Sequence, residues 1–194
     1  MVAGARDELL RLLGHYKERY GILIRSYCLM GNHQHVGLTT TRGLQAFSRF
    51  WQCVNKQFAD SINQQTGRKG QVIMERMRSP RMDNDEGHVV RVMRYIDQNP
   101  VEAELVRSAK DWRYSSHRHY ALGEPDPLLD DPPEYLALGR TPIERRKAYR
   151  ALFAQPLEEE AHPPAGDAAE PASGDVAPRT PKKGEGGDPP PDSS

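Results

Sequence analysis

The first chemistry this chain offers lies in two histidines two residues apart, His33 and His35. They fall in a short stretch, 33–39, whose composition predicts a strand. Side chains at i and i+2 of a strand share one face, so two imidazoles there can share one divalent cation. Gln34, between them, faces the other way. The alternative is a pair of solvent-facing polar side chains, and the pair alone leaves both readings open. A second candidate lies in Arg94-Tyr95-Ile96-Asp97-Gln98-Asn99-Pro100. At about 100° per residue of helix, Tyr95 and Asn99 lie about 40° apart, Arg91 about 40° to the other side, and the stripe Val89, Val92, Met93, Ile96 roughly 110° away. This geometry predicts a tyrosine on a polar face. A phenolate attacks phosphorus when a cation stabilises it, and the carbonyl oxygen of Asn99 suits Mg²⁺ or Mn²⁺. The competing readings are a boundary tyrosine with its hydroxyl in water, and Asn99 as the N-cap of a short helix from Val101 to Arg107.

Several elements must hold these residues. Leu9, Leu12, Leu13, Tyr16 and Tyr20 recur at helical spacing over 6–20, and Gly21 ends that helix. Ile22 to Met30 is a short apolar run that suits a buried strand. Gly31-Asn32 is a turn signal, so 33–39 closes a hairpin. Leu44, Phe47, Trp51, Val54, Phe58 and Ile62 mark a long helix closed by Gly67. A further strand is expected between Gln71 and Met77. Residues 86–99 form the helix of Tyr95, which Pro100 stops. Thr141-Pro142-Ile143-Glu144 is a capping box that opens a last helix reaching Phe153. This order suggests an α+β sandwich with an antiparallel sheet.

The net charge of the 194 residues is zero, with 27 basic and 27 acidic residues, but the signs are segregated. Residues 156–194 hold 9 acidic and 3 basic residues, a net of −6, with nine Pro, five Gly and no aromatic residue. This stretch reads as a disordered acidic tail. Residues 1–155 are therefore +6, and 19 of their 24 cations are Arg. Such a basic body points to nucleic acid or another anionic partner. No apolar run approaches the roughly 20 residues of a membrane span, and the start lacks the apolar core of a signal peptide. Cys28 and Cys53 show no metal or redox spacing and read as reduced core thiols of a cytosolic protein. The cations cluster in three places: Arg42 and Arg49 flank the second helix, Arg76, Arg78 and Arg81 form a basic loop or strand, and Arg145, Arg146, Lys147 and Arg150 sit on the last helix. Arg91 shares the face of Tyr95. Phosphate contact and an ordinary solvated face are both open for each. His117-Arg118-His119 repeats the His-x-His spacing but nothing pairs with it, so it reads as a surface or DNA-contacting segment.

Taken together, three ordered motifs resemble one family. Leu29-Met30-Gly31-Asn32-His33-Gln34-His35 resembles the metal-binding strand of the HUH-type single-tyrosine transposases, the insertion-sequence-200-like enzymes and, closer still, the REP-associated tyrosine transposases. Tyr95-Ile96-Asp97-Gln98-Asn99-Pro100-Val101 is similar to their Tyr-Ile-x-x-Asn-Pro-Val segment, and Trp112-Arg113-Tyr114-Ser115-Ser116 to their Trp-x-Tyr-Ser-Ser element. The resemblance spans about residues 6–153. It implies His33, His35 and Asn99 as ligands of Mg²⁺ or Mn²⁺, and Tyr95 as a nucleophile that cuts and rejoins single-stranded hairpin DNA through a 5′-phosphotyrosine. It also implies a ferredoxin-like antiparallel sheet with helices on one face, over residues 1–123, followed by a helical extension over 124–155. The partner is then single-stranded or hairpin DNA, with no membrane, the protein acting as a monomer or a homodimer in the cytoplasm at the nucleoid.

The chain departs from the family in three ways. Gly31 stands where the family has Pro, and Gln34 where it has an apolar or aromatic residue. The family's first strand, often Tyr-His-x-Thr-x-Arg, precedes the first helix, whereas this chain starts at that helix. These departures keep two further readings in play: a DNA-binding relative of the same fold without catalysis, and a small structural metal-binding interaction protein whose His pair holds Zn²⁺.

Overall fold

The computed structural model describes residues 4–31, 34–67, 69 and 87–154. The chain runs through α1 (Ala5–Tyr20), β1 (Ile22–Leu29), β2 (Gln34–Thr40), α2 (Gly43–Thr66), α3 (His88–Glu102), α4 (Pro133–Leu136) and α5 (Pro142–Leu152). It is a mixed helix-and-strand fold built around a small antiparallel hairpin sheet. The expected strand at 71–77, the turn residue Asn32, His33, and the tail from 155 onward lie outside the described residues.

Helix α1 forms as its leucine spacing requires, burying Leu9, Leu12, Leu13 and Tyr16. Each such Leu is stabilised by about 2 kcal/mol relative to an exposed one. Gly21 ends the helix in the left-handed region, at φ 61, where a side chain would be strained. The hairpin then turns on a bulge. Ile24 pairs with Leu38, but the next step pairs Ser26 with Gly37, leaving Arg25 as the extra residue. A bulge resets the alternation of faces. Ile22, Ile24, Tyr27 and Leu29 therefore join α1 and α2 in one core, with Phe50, Trp51, Val54, Phe58 and Ile62. Cys28 and Met30 face the opposite way, against Val92 and Ile96 of α3.

The sheet is thus covered on both faces. Helices α1 and α2 share one face, as expected, but α3 takes the other, correcting the expectation of helices on one face. The physical reason is that the bulge and the Val92/Ile96 stripe leave apolar surface on both sides. Gly37 makes the second contact close: a Cβ there would lie 2.5 Å from Ser26 Oγ and 3.4 Å from Ile96 Cδ1.

Helix α3 is longer than expected. It passes through Pro100 to Glu102 and ends where Glu104 adopts φ 55. Proline so close to a C-terminus forfeits one hydrogen bond, while Ala103 N–H still reaches the Asn99 carbonyl at 2.9 Å. No helix forms from Val101 to Arg107 among these residues. Residues 109–154 then wrap α3 from outside. Tyr120, Tyr135 and Tyr149 pack with Val90 and Met93 in a second core. The extension is also tied to the sheet side: Asp130 Oδ2 accepts from Lys17 Nζ at 2.9 Å and from Ile24 N–H at 2.9 Å. At α5 the capping box forms as expected, with Thr141 and Glu144 exchanging hydrogen bonds.

Candidate functional site

Strand β2 and helix α3 bring two of the expected site residues together. By register, His35 pairs with Cys28 and shares the α3-facing side, while Gln34 pairs with Leu29 on the other side. The His35 and Tyr95 rings meet edge to face, their centroids 6.1 Å apart. Asn99 follows Tyr95 by one turn, is only 8% exposed, and donates from Nδ2 to the Tyr95 carbonyl at 2.7 Å. That orientation leaves Oδ1 as its donor atom for a cation. An imidazole nitrogen and an amide oxygen are a donor set that Mn²⁺ or Mg²⁺ accepts. His33, the third expected ligand, lies outside the described residues. Among the described residues no group of three His, Cys, Asp or Glu side chains gathers for a metal.

Tyr95 is half-buried rather than set on an open polar face. Burial pushes its hydroxyl above the ordinary tyrosine range, Glu102 adds to the rise, and a hydrogen bond with Asn99 opposes it. As it stands, the phenol is held protonated at neutral pH. A nucleophilic role needs a cation beside it.

The polar face expected for α3 is largely enclosed. Arg94, Asp97, Asn99 and Pro100 are all buried, and the three tyrosines of the second core close over the Val90 and Met93 side of the helix, opposite Tyr95. Asp97, fully buried, accepts from Ser116 Oγ at 2.7 Å and from Tyr149 Oη at 2.8 Å. His117 Nδ1 lies 3.7 Å from the same carboxylate. Ser116 belongs to the Trp112–Ser116 segment, which adds itself to the outer edge of β1: Leu29 N–H donates to the Tyr114 carbonyl and Ser116 N–H to the Tyr27 carbonyl, each at 2.9 Å. One carboxylate therefore binds the Tyr95 helix to the sheet edge and to the last helix. Sequence reasoning missed Asp97, Ser116, His117 and Tyr149. The available signal was Val90, Met93, Asp97 at i, i+3 and i+7, which placed a carboxylate on an apolar face.

His117 corrects a further expectation, since it is buried against Phe153 at 4.7 Å between centroids. His119 instead bridges the Glu124 carbonyl at 3.0 Å and Asp131 Oδ1 at 2.9 Å. The two rings do not form a common site. Cys28 is a buried thiol pushed up by burial and by Asp97, hence inert.

The expected DNA-contacting cations take varied positions. Arg42 donates to the Arg19 carbonyl at 2.9 Å, completing the end of α1. Arg145 reaches the Gly139 carbonyl at 3.4 Å, and Arg150 binds the Ala121 carbonyl. Arg146 is half-buried, Lys147 and Arg49 are exposed, and Arg91 is half-buried one turn before Tyr95. Arg76, Arg78 and Arg81 lie outside the described residues. No helix of the described residues is long and apolar enough to cross a membrane. No protein-family model matches the chain, and no curated protein or solved structure matches it.

Proposed function

We propose that this chain is a single-tyrosine DNA transposase of the HUH type, similar to the REP-associated enzymes, which cuts and rejoins single-stranded hairpin DNA at the nucleoid. The observation that carries the reading is the meeting of His35 on β2 with Tyr95 on α3, one turn before Asn99. Two distant motifs, 60 positions apart in number, converge as the chemistry requires. In the ferredoxin-like sheet this reading implies, β1 and β2 are the hairpin strands and α1 and α2 their cover.

Tyr95 Oη attacks the scissile phosphorus, the P–O3′ bond breaks, and the released O3′ takes up a proton as a 3′-hydroxyl. The product is a 5′-phosphotyrosine on Tyr95, and attack by a 3′-hydroxyl reverses the step without a nucleotide cofactor. His33, His35 and Asn99 would hold a Mg²⁺ or Mn²⁺ ion, which would supply charge stabilisation to the scissile phosphate. His35 and Asn99 orient the reacting group by their places beside Tyr95, and α3, clamped on both sides, holds Tyr95 still. The test is a gel assay with labelled hairpin DNA and Mn²⁺. A covalent adduct formed by the native chain and missing in Tyr95→Phe supports the reading.

A second reading, a DNA-binding relative without catalysis, is favoured by one observation: Gly31 stands where the family has Pro, which loosens the turn before the expected ligands. Binding of the hairpin by the native chain with no adduct at any metal concentration would select it.

A further inference from the structure

Beyond the Tyr95 site, cations and rings alternate along one surface. Arg6 of α1 lies over the Trp112 ring at 5.3 Å and over the Tyr114 ring at 5.1 Å. Arg113 lies over Tyr114 at 5.2 Å. Arg6 Nε and Trp112 Nε1 find no hydrogen-bond acceptor among the described residues, so Arg6 meets Trp112 through the ring face. Arg113 is the outermost member: its side chain is 76% exposed, and its distance to Asp7 is 3.7 Å, a loose pair in solvent. Arg113 also borders an open polar cleft of about 330 Å³ shared with Ser115, Arg118 and Glu124. Approach to its guanidinium from solvent is therefore unobstructed. The ladder is joined to the Tyr95 site through one apolar cluster, since Trp112 and Tyr95 both pack against Cys28, Met30, Val92 and Ile96.

We propose that Arg6, Trp112, Tyr114 and Arg113 form a stacking platform for one unpaired base of single-stranded DNA, close along the strand to the phosphate that Tyr95 attacks. The inference rests on the function proposed above and adds to it a base-recognition subsite. A planar cation laid on an aromatic ring and open to water is a surface on which a base stacks. A phosphate is the poorer occupant, because Asp7 stands at the ladder, accepting from Tyr114 Oη at 3.2 Å, and repels a second anion. The same carboxylate can accept from a base's exocyclic amine.

The test uses the full chain and hairpin DNA whose single-stranded flank carries 2-aminopurine at one position at a time. One flank position should be quenched on binding. Removing the base at that position should weaken binding by native protein about tenfold, the scale of one stacked base. Arg113→Ala should lose the same factor on intact DNA and nothing further on the abasic flank, the signature of a shared contact. Arg113→Lys keeps the charge and loses the plane, so it should behave as Arg113→Ala does. Equal losses on intact and abasic DNA, with Lys restoring affinity, would mean a phosphate contact and would overturn the platform while leaving the DNA reading intact. A quench with RNA flanks and none with DNA would overturn the choice of partner. Absence of any hairpin binding by the native chain would overturn both proposals together.

Discussion

Tyr149→Phe removes one oxygen and almost no volume from the buried hydrogen-bond network centred on Asp97. The hydroxyl donates to Asp97 Oδ2 at 2.8 Å, and both residues are 0% exposed, so water cannot replace the lost donor. A hydrogen bond to a charged group contributes about 1.5–3 kcal/mol. Ser116 still donates to Oδ1 at 2.7 Å, but Oδ2 is left facing only His117 at 3.7 Å. The expected loss is about 2 kcal/mol, or a fall in melting temperature of roughly 4–8 °C for a body of this size. Urea denaturation should show a lower midpoint at unchanged slope. Asp97→Ala should cost more, about 3–5 kcal/mol, because it leaves the buried Tyr149 hydroxyl without an acceptor and Ser116 Oγ with only the Tyr27 carbonyl at 3.4 Å. A Tyr149→Phe protein within about 0.5 kcal/mol of native, the scatter of neutral surface changes, would refute the claim that this network holds α3 in place. So would additivity of Tyr149→Phe with Ser116→Ala, since groups sharing one carboxylate must couple.

Other outcomes follow from the same structure. His35→Ala should abolish metal-dependent adduct formation while hairpin affinity, read by gel shift, stays within about twofold, because one neutral imidazole adds little to phosphate binding. Stability should fall as pH rises past about 10, the ordinary tyrosine value. Below it folded and unfolded chains both keep their phenolic protons and nothing is gained or lost. Above it the unfolded chain releases protons that Tyr27, Tyr120 and Tyr149 retain, all three being pushed up by burial. A flat denaturation midpoint from pH 8 to 11 would contradict the buried placement of these rings. Removing residues 156–194 deletes a net charge of −6 and should tighten hairpin binding at low salt, with the difference shrinking as salt rises. Equal affinities at low salt would exclude the tail as a competitor for the DNA site.

Much of the scaffold could be read from one dimension. Leucine spacing and a left-handed glycine bound α1, six apolar residues and Gly67 bound α2, and the Thr141–Glu144 box opens α5 as written. The partnership of His35 with Tyr95 was also visible, through motif order. What stayed hidden was the second side of α3. Periodicity sees one apolar stripe, Val89, Val92, Met93 and Ile96, and gives Asp97 and Arg94 no partner. It cannot see that Tyr120, Tyr135 and Tyr149 return from far along the chain to cover the opposite side. The Arg25 bulge was equally silent, since a run of buried residues from Tyr27 to Met30 looks the same whether or not a strand changes faces midway. Pro100 misled for a simple reason: its cost depends on how many turns follow, and here almost none do.

The Asp97 contact has a consequence in time. Its two hydroxyl partners lie 19 and 52 residues downstream. At about 5–20 residues per second of synthesis, a growing chain waits roughly 3–10 s between making Asp97 and making Tyr149. Until Ser116 is made, α3 carries a carboxylate that only water can satisfy, and until Tyr149 follows, one of its two hydroxyl donors is still missing. The contact that ties α3 to the last helix therefore forms late in assembly, when α5 arrives.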